Sequence, residues 1–380
     1  MSENSQHLPI GYKISGHYKI LKVLGQGGFG IVYKVENLHR VKDNIFIIKE
    51  LFLQKHSFRF RKKTTVGTNP SMKHIFAKIR ADILREVDIL SSIKNKNIVQ
   101  EYGYFEENDT VYSIMEYIEG MDLGKYIQKH SFDEDETIDL LEQLIHGLKE
   151  IHSKNIIHRD IKPSNIMRTK KGLYKLIDFT NNKSYMDSEI TITGITSQGY
   201  SSPELGQKKA IVGAFSDIYS IGMTLIKVLT LESPPEMSDR FKDDDFQKTI
   251  DELPVSRGFK EIIRKMTQRD SENRFQSLEG IERALSRLNV DIEEEYIHIE
   301  TEMVSGFYKK KSKKEYDDMK IVVKSIGVIF LVVSVFFIVR LSFFIDNDLT
   351  KEFNETEQNL NEKNKKAIEE MLEALKRNVN

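Results

Sequence analysis

The sequence predicts an α+β domain of two lobes, a small one rich in β-strand and a larger one mostly helical, followed by one transmembrane helix. Three patterns predict it. Residues 18 to about 118 alternate apolar and polar positions in short runs, the apolar period becomes helical from about Leu123 to Leu288, and residues 325–339 pass fifteen positions without a charge.

The alternation in Tyr18–Leu24 and Val111–Met115 is that of half-buried strands, whose side chains point to opposite faces in turn. One helix is expected to interrupt them around Ile79 to Ile93, where Ile83, Val87 and Leu90 recur at spacings of four and three. In the larger lobe Leu140, Leu141, Leu144, Leu148 and Ile151 repeat the helical stripe. Residues 1–17 read as an N-terminal extension without the basic start and apolar run of a secretion signal.

Beyond the domain at 18–288, residues 289–320 turn acidic at Glu293–Glu295 and basic at Lys309–Lys311, as a solvated linker does. The stretch 321–345 is long enough to span a bilayer if Lys324 and Arg340 snorkel to its faces. A buried C-terminal helix is the alternative, but GVIFLVVSVFFIV is apolar all round and flanked by charge. Six lysines fall between residues 309 and 320, against Lys351 alone among five acids in 346–360. The positive-inside rule then predicts a single-pass cell-membrane protein with its N-terminal domain in the cytoplasm. The tail 346–380 is short and polar; its stripe of Ile368, Met371, Leu372 and Leu375 would pair with a partner helix or fray.

Composition removes other classes. With 57 basic and 58 acidic side chains the net charge is −1, so no global field draws a polyanion and nucleic acid is not expected as a partner. The absence of cysteine excludes disulfides, thiolate metal sites and thiol nucleophiles.

The chemistry begins at Leu24-Gly25-Gln26-Gly27-Gly28-Phe29-Gly30, three glycines at G-x-G-x-x-G spacing with Val32 two positions on. Glycine lets backbone N–H groups approach phosphates closely, but dinucleotide folds and ordinary turns use the same letters. A dinucleotide fingerprint should open a helix, whereas Ile31–Val35 continues as a strand, which favours a strand-turn-strand flap over phosphates. Lys49 ends the apolar strand Phe46-Ile47-Ile48. It is a phosphate ligand or a solvated strand end according to whether a carboxylate holds it, and Glu86 is the candidate.

The segment Ile157-His158-Arg159-Asp160-Ile161-Lys162-Pro163-Ser164-Asn165-Ile166 fills every position of H-R-D-x-x-x-x-N and resembles the catalytic loop of protein kinases. The chain as a whole looks most like bacterial membrane-anchored, eukaryotic-like serine/threonine protein kinases, over roughly residues 18 to 288, and so the two-lobed protein kinase fold is expected. The resemblance implies Asp160 as the base for the substrate hydroxyl, Lys162 as the serine/threonine-type cation steadying the phosphoryl group, and Asn165 as a metal ligand. Asp178, in Leu176-Ile177-Asp178-Phe179, would be the second metal ligand. It implies ATP and Mg²⁺, with Mn²⁺ as an alternative, protein substrates, and dimerisation of the kinase lobe.

ATP would touch Leu24, Gly25, Gln26, Gly27, Gly28, Phe29, Gly30, Val32, Lys49 and Glu86. It would also meet the hinge at Met115, Glu116 and Ile118, with Asp122 at the ribose. Glu204 of Ser202-Pro203-Glu204 and Arg274 would form the family's buried ion pair, and Ser216–Gly222 its central helix. Arg159 beside Asp160 suggests activation-segment autophosphorylation at Thr191 or Thr193, with Ser197 lining the substrate site.

The pattern departs in four places. Thr180 stands where glycine follows Asp-Phe, Ile47 where a small alanine is usual, and Glu101 where an apolar residue of the regulatory spine is expected. These motivate a second reading, a catalytically weak kinase-like binding module. The 37 residues from Lys49 to Glu86 form a long insert carrying Arg59, Arg61, Lys62, Lys63, Lys73, Lys78 and Arg80, expected to be a solvated flexible loop.

Overall fold

Alternation along the small lobe becomes one antiparallel sheet. In the computed structural model, which describes residues 6–59, 63–179, 199–206, 211–235 and 245–288, six strands pair in the order β1-β2-β3-β4-β8-β7. They are β1 (Lys13–Ile14), β2 (Tyr18–Gln26), β3 (Gly30–Asn37), β4 (Ile45–Leu51), β7 (Glu101–Glu107) and β8 (Thr110–Glu116). All described residues belong to one unit, Met1–Glu293. Period-two geometry gives β4 two different faces: Phe46, Ile48 and Glu50 are buried, while Ile47 and Lys49 are partly exposed on the other side.

The helix α1 (Lys73–Ser92) starts six residues before the expected Ile79, because Phe76 and Ile79 extend its apolar stripe backwards; Phe76, Ile79, Ile83, Val87 and Leu90 are all buried. The folded unit also reaches upstream of residue 18. Leu8 and Ile14 are buried in the same core as Ile20, Tyr33 and Tyr112, each contributing roughly 1.5–3 kcal/mol of burial energy.

The insert after Lys49 corrects an expectation. Rather than a solvated flexible loop, it carries an antiparallel hairpin of β5 (Ser57–Arg59) and β6 (Val66–Thr68). Phe52, Leu53, Val66 and Met72 bury against the lobe, and Arg59 pairs with the fully buried Glu50. A run of cations reads as solvated until one of them finds a buried carboxylate, and no local pattern announces that partner. Arg61 and Lys62 lie outside the described residues.

In the larger lobe a short α2 (Leu123–Tyr126) is followed by α3 (Glu134–Ser153), α4 (Ala214–Thr230), α5 (Asp245–Asp251), α6 (Arg257–Met266) and a helix over 278–288. Asp133 and Glu136 close a capping box at the start of α3. Helix α4 is buried nearly all round, Ser216, Asp217, Ser220 and Thr224 included. A small antiparallel sheet, β9 (Gly120–Asp122), β10 (Ile166–Thr169) and β11 (Tyr174–Leu176), also lies here. Its strands are too short for periodicity to reveal. Among the described residues no helix is long and apolar enough to cross a membrane. Residues 289–320, 321–345 and 346–380 lie outside the described residues.

Candidate active site

The site is assembled from both lobes, and each contributes a short backbone device. In the small lobe the hairpin from β2 to β3 pairs Gly25 with Val32 and Gln26 with Ile31, leaving Gly27, Gly28 and Phe29 as the turn. Space around Gly27 and Gly28 is open, whereas a Cβ on Gly30 would stand 2.6 Å from the Glu50 carbonyl oxygen and 3.3 Å from Lys49 Cε. Only glycine lets β3 lie this close to the strand that carries the lysine. Leu24 stands exposed at the mouth.

In the larger lobe, the Val99 amide donates to the Leu176 carbonyl and the Leu176 amide to the Asn97 carbonyl, both at 2.9 Å, fixing the strand that leads to Asp178. Asp178 then turns back with φ of 64°, a left-handed conformation uncommon outside glycine and found at functional sites. Its Oδ1 lies 2.5 Å from Lys49 Nζ. The carboxylate that meets Lys49 here is thus Asp178, whereas Glu86, the candidate named from sequence, has a buried Oε2 without a hydrogen-bond partner. Burial pushes the Glu86 carboxyl up to about 8, against the opposing pull of Lys49 and Arg159.

Asp160, Lys162 and Asn165 converge within one short segment. Lys162 Nζ lies 2.8 and 3.0 Å from the two oxygens of Asp160, and Asn165 Nδ2 donates to Asp160 Oδ2 at 2.9 Å and to its carbonyl at 2.8 Å. With Nδ2 engaged, Asn165 has only its carbonyl oxygen for a cation, and Asp178 adds a carboxylate. Such hard oxygen donors suit Mg²⁺, which takes one or two protein ligands and completes its shell with phosphate and water. Among the described residues no three acidic or histidine side chains gather as an all-protein metal cage.

Below the loop His158 is a buried strut: Nε2 donates to the Ile177 carbonyl at 3.0 Å and Nδ1 accepts from the Asp160 amide at 3.3 Å, which fixes the tautomer. Its ring packs on Phe179, 4.5 Å between centroids. Asp217 of α4 accepts from the amides of His158 and Arg159 at 2.9 and 2.8 Å and from His152 Nε2 at 2.8 Å. Burial opposes its charge, yet the hydrogen bond and charge of His152 hold the carboxyl below its ordinary range. The motif Ser216–Gly222 puts Asp217 in the central helix but does not reveal this support of the loop; an acid in a largely apolar helix is the signal.

At the hinge Met115 is buried and faces Ile47 and Glu101 across the sheet. The Glu116 amide is given to the Gln100 carbonyl at 2.9 Å and its carboxylate holds Lys175 at 2.5 Å, so both groups are already engaged within the fold. Ile118 is buried beyond it. Asp122, expected at the ribose, caps α2 by accepting from the Lys125 amide at 2.9 Å. Thr180, Thr191, Thr193 and Ser197 lie outside the described residues.

Residues 18–286 match the model of the protein kinase domain. The chain belongs to the protein kinase family. Within it, the chain is 34% identical over 233 residues to the serine/threonine-protein kinase PrkC of Bacillus subtilis, covering 59% of this chain and 32% of that one. It is 29% identical to the serine/threonine-protein kinase D of Synechocystis over 73% of this chain and 53% of that one. The chain thus spans only a third to a half of these curated relatives. The solved structure of PpkA-294 in its apo form superposes with a TM-score of 0.61 at 22% identity, over 74% of this chain and all of that one, and shows the shared two-lobed fold.

One kinase-domain residue is out of character. Glu101 is 3% exposed, its Oε2 has no hydrogen-bond partner, and burial pushes its carboxyl up to about 8. The folded chain therefore keeps a proton that the unfolded chain loses above its ordinary value of 4.5. By linkage this carboxyl's stabilisation is complete below that value and declines as pH rises towards 8, the reverse of a salt-bridged acid. Replacing Glu101 by Gln should make urea unfolding less sensitive to pH between about 5 and 8, by up to roughly 1.4 kcal/mol per unit at most. Identical pH profiles for the two proteins would refute this account of Glu101.

Proposed function

We propose that this chain is a serine/threonine protein kinase, transferring the γ-phosphoryl group of ATP to Ser and Thr hydroxyls of protein substrates. The observation that carries the reading is Asp160, a carboxylate held by Lys162 and Asn165 at short range, in a domain that also pairs Lys49 with Asp178. Asp160 accepts the hydroxyl proton, Lys162 screens the incoming phosphoryl charge, and Lys49 moves from Asp178 to phosphate oxygens when the nucleotide enters. Asn165 and Asp178 would hold Mg²⁺, whose charge would offset that of the phosphates. The work is positioning and charge neutralisation rather than covalent catalysis. A kinase-like binding module is not favoured, since the relatives are named serine/threonine kinases.

The test is transfer of labelled γ-phosphate by the full chain to itself and to a generic basic protein. Magnesium-dependent phosphoserine and phosphothreonine are expected, with label at Thr191 or Thr193 among the autophosphorylation sites. Nucleotide binding without any transfer would return the reading to a binding module.

The finer reading adds a single-pass cell-membrane anchor at 321–345 with the kinase domain in the cytoplasm, supported by the uncharged run and its lysine-rich upstream flank. Alkaline carbonate should leave the full chain in the membrane pellet and release a chain ending at residue 310. Release of both would remove the anchor.

A further inference from the structure

We propose that Arg59 is a positioning residue for the nucleotide site, fastening a clamp of residues 6–8 and 52–59 that holds the glycine-rich loop in place. The proposal deepens the kinase reading and rests on its nucleotide cleft.

The clamp starts on the far side of the catalytic strand. Because side chains alternate along β4, Lys49 faces the cleft and Glu50 the opposite surface, where its side chain is wholly buried. A carboxylate there is tolerated only if its lone pairs are used. Tyr33 Oη donates to Oε2 at 2.9 Å, Tyr112 Oη donates to Oε1 at 2.7 Å, and the Arg59 guanidinium pairs with Oε1. Arg59 is 5% exposed at its side chain and also donates from Nη1 to the Thr64 carbonyl at 2.9 Å, across the hairpin of the insert. Its backbone amide donates to Gln6 Oε1 at 2.6 Å. One residue thus joins the catalytic strand, the insert and the N-terminal segment.

The same two segments reach the glycine-rich loop. The Phe52 amide donates to the Phe29 carbonyl and the Gln54 amide to the Gly28 carbonyl, each at 3.0 Å. His7 Nε2 donates to Gln26 Oε1 at 2.9 Å. Leu8 is buried beside them and its amide donates to Tyr33 Oη at 3.1 Å, which closes the circuit back to Glu50. A turn of glycines has no side chains with which to fix itself, and ordering it costs backbone entropy on nucleotide binding. A loop already tied at Gln26, Gly28 and Phe29 meets part of that cost in advance. The clamp should therefore act on nucleotide affinity more than on proton transfer. Arginine is needed rather than lysine because its planar fork serves Glu50 and Thr64 together.

The experiment measures binding of a non-hydrolysable ATP analogue with Mg²⁺ to the full chain, with amide exchange at Phe52 and Gln54 and the steady-state constants for transfer. Arg59→Ala should weaken binding about ten-fold or more, Arg59→Lys should fall between it and the unaltered chain, and His7→Ala should weaken binding about five-fold. Exchange at Phe52 and Gln54 should quicken in all three, and KM for ATP should rise by a larger factor than kcat falls. Arg59→Ala strips the cation from buried Glu50 and can cost the fold, whereas His7→Ala leaves that pair untouched and keeps the test decisive. Arg59→Lys and His7→Ala binding as tightly as the unaltered chain, with unchanged exchange, would overturn the clamp while leaving the kinase reading intact. Nucleotide binding that is weakened in the variants, with no transfer by any chain, would uphold the clamp and remove the kinase reading.

Discussion

Asp160→Asn should reduce phosphoryl transfer at saturating substrates by about 10²–10⁴-fold, the range for losing a general base, while the chain stays folded and still binds nucleotide. The substitution is nearly isosteric, but it alters the charge pattern at one point. Both oxygens of Asp160 now face donors, Lys162 Nζ at 2.8 and 3.0 Å and Asn165 Nδ2 at 2.9 Å. An amide in that place offers one oxygen and one NH₂ group, so it is not basic enough to accept the substrate proton and it sets a donor against a donor. The expected loss is therefore in kcat, with KM for ATP little changed, because Lys49, Asp178 and the glycine-rich loop are untouched. Transfer undiminished in the variant would remove Asp160 as the base. Loss of nucleotide binding together with transfer would make it a structural residue.

The grouping of Asp160, Lys162 and Asn165 was legible in the sequence through the resemblance of 157–166 to the protein kinase catalytic loop, and these groups lie within six residues of one another. Contacts made across the chain were less so. The lysine at the end of an apolar strand was visible, but its meeting with Asp178 rather than Glu86 depends on how the two lobes set Asp178 against β4, which no spacing encodes. The start of α1 at Lys73 was partly encoded, since Phe76 and Ile79 continue the spacing of Ile83 and Val87, but the polar residues between them masked it. Nothing local distinguishes Arg59 from Lys63 in the basic insert; the difference is the buried Glu50 that one of them reaches. Glu101 was recognised as a misfit from its position, and its burial without a partner gives that misfit a physical form.

Arg274→Ala should destabilise the larger lobe by about 3–5 kcal/mol, the cost of breaking a buried ion pair by removing one partner. The magnitude follows from how completely the guanidinium is used. Nη1 donates to Glu204 Oε1 at 2.8 Å and to the Phe215 carbonyl at 3.3 Å, Nη2 to Glu204 Oε2 at 3.0 Å and to the Arg269 carbonyl at 2.7 Å, and Nε to the Gln268 carbonyl at 2.6 Å. Arg274 is 2% exposed, and its guanidinium also lies 4.7 Å from the Tyr219 ring. Truncation therefore leaves three carbonyls without the arginine donors and the Glu204 carboxylate with Ser216 but no countercharge, and lysine, with one point charge and no fork, should recover little. Glu204 adds a pH signature. Burial works against its charge, but Arg274 and Ser216 hold the carboxyl below its ordinary value, so its stabilisation is present above that value and is lost as pH falls through the folded-state pKa. Arg274→Ala should abolish that acid-side loss as well as lower the urea midpoint at neutral pH. A penalty of only about 1 kcal/mol would place the pair with ordinary surface salt bridges and refute the buried-pair account. The double variant Glu204→Gln with Arg274→Met should be less unstable than Arg274→Ala alone, because it no longer strands a charge in the interior.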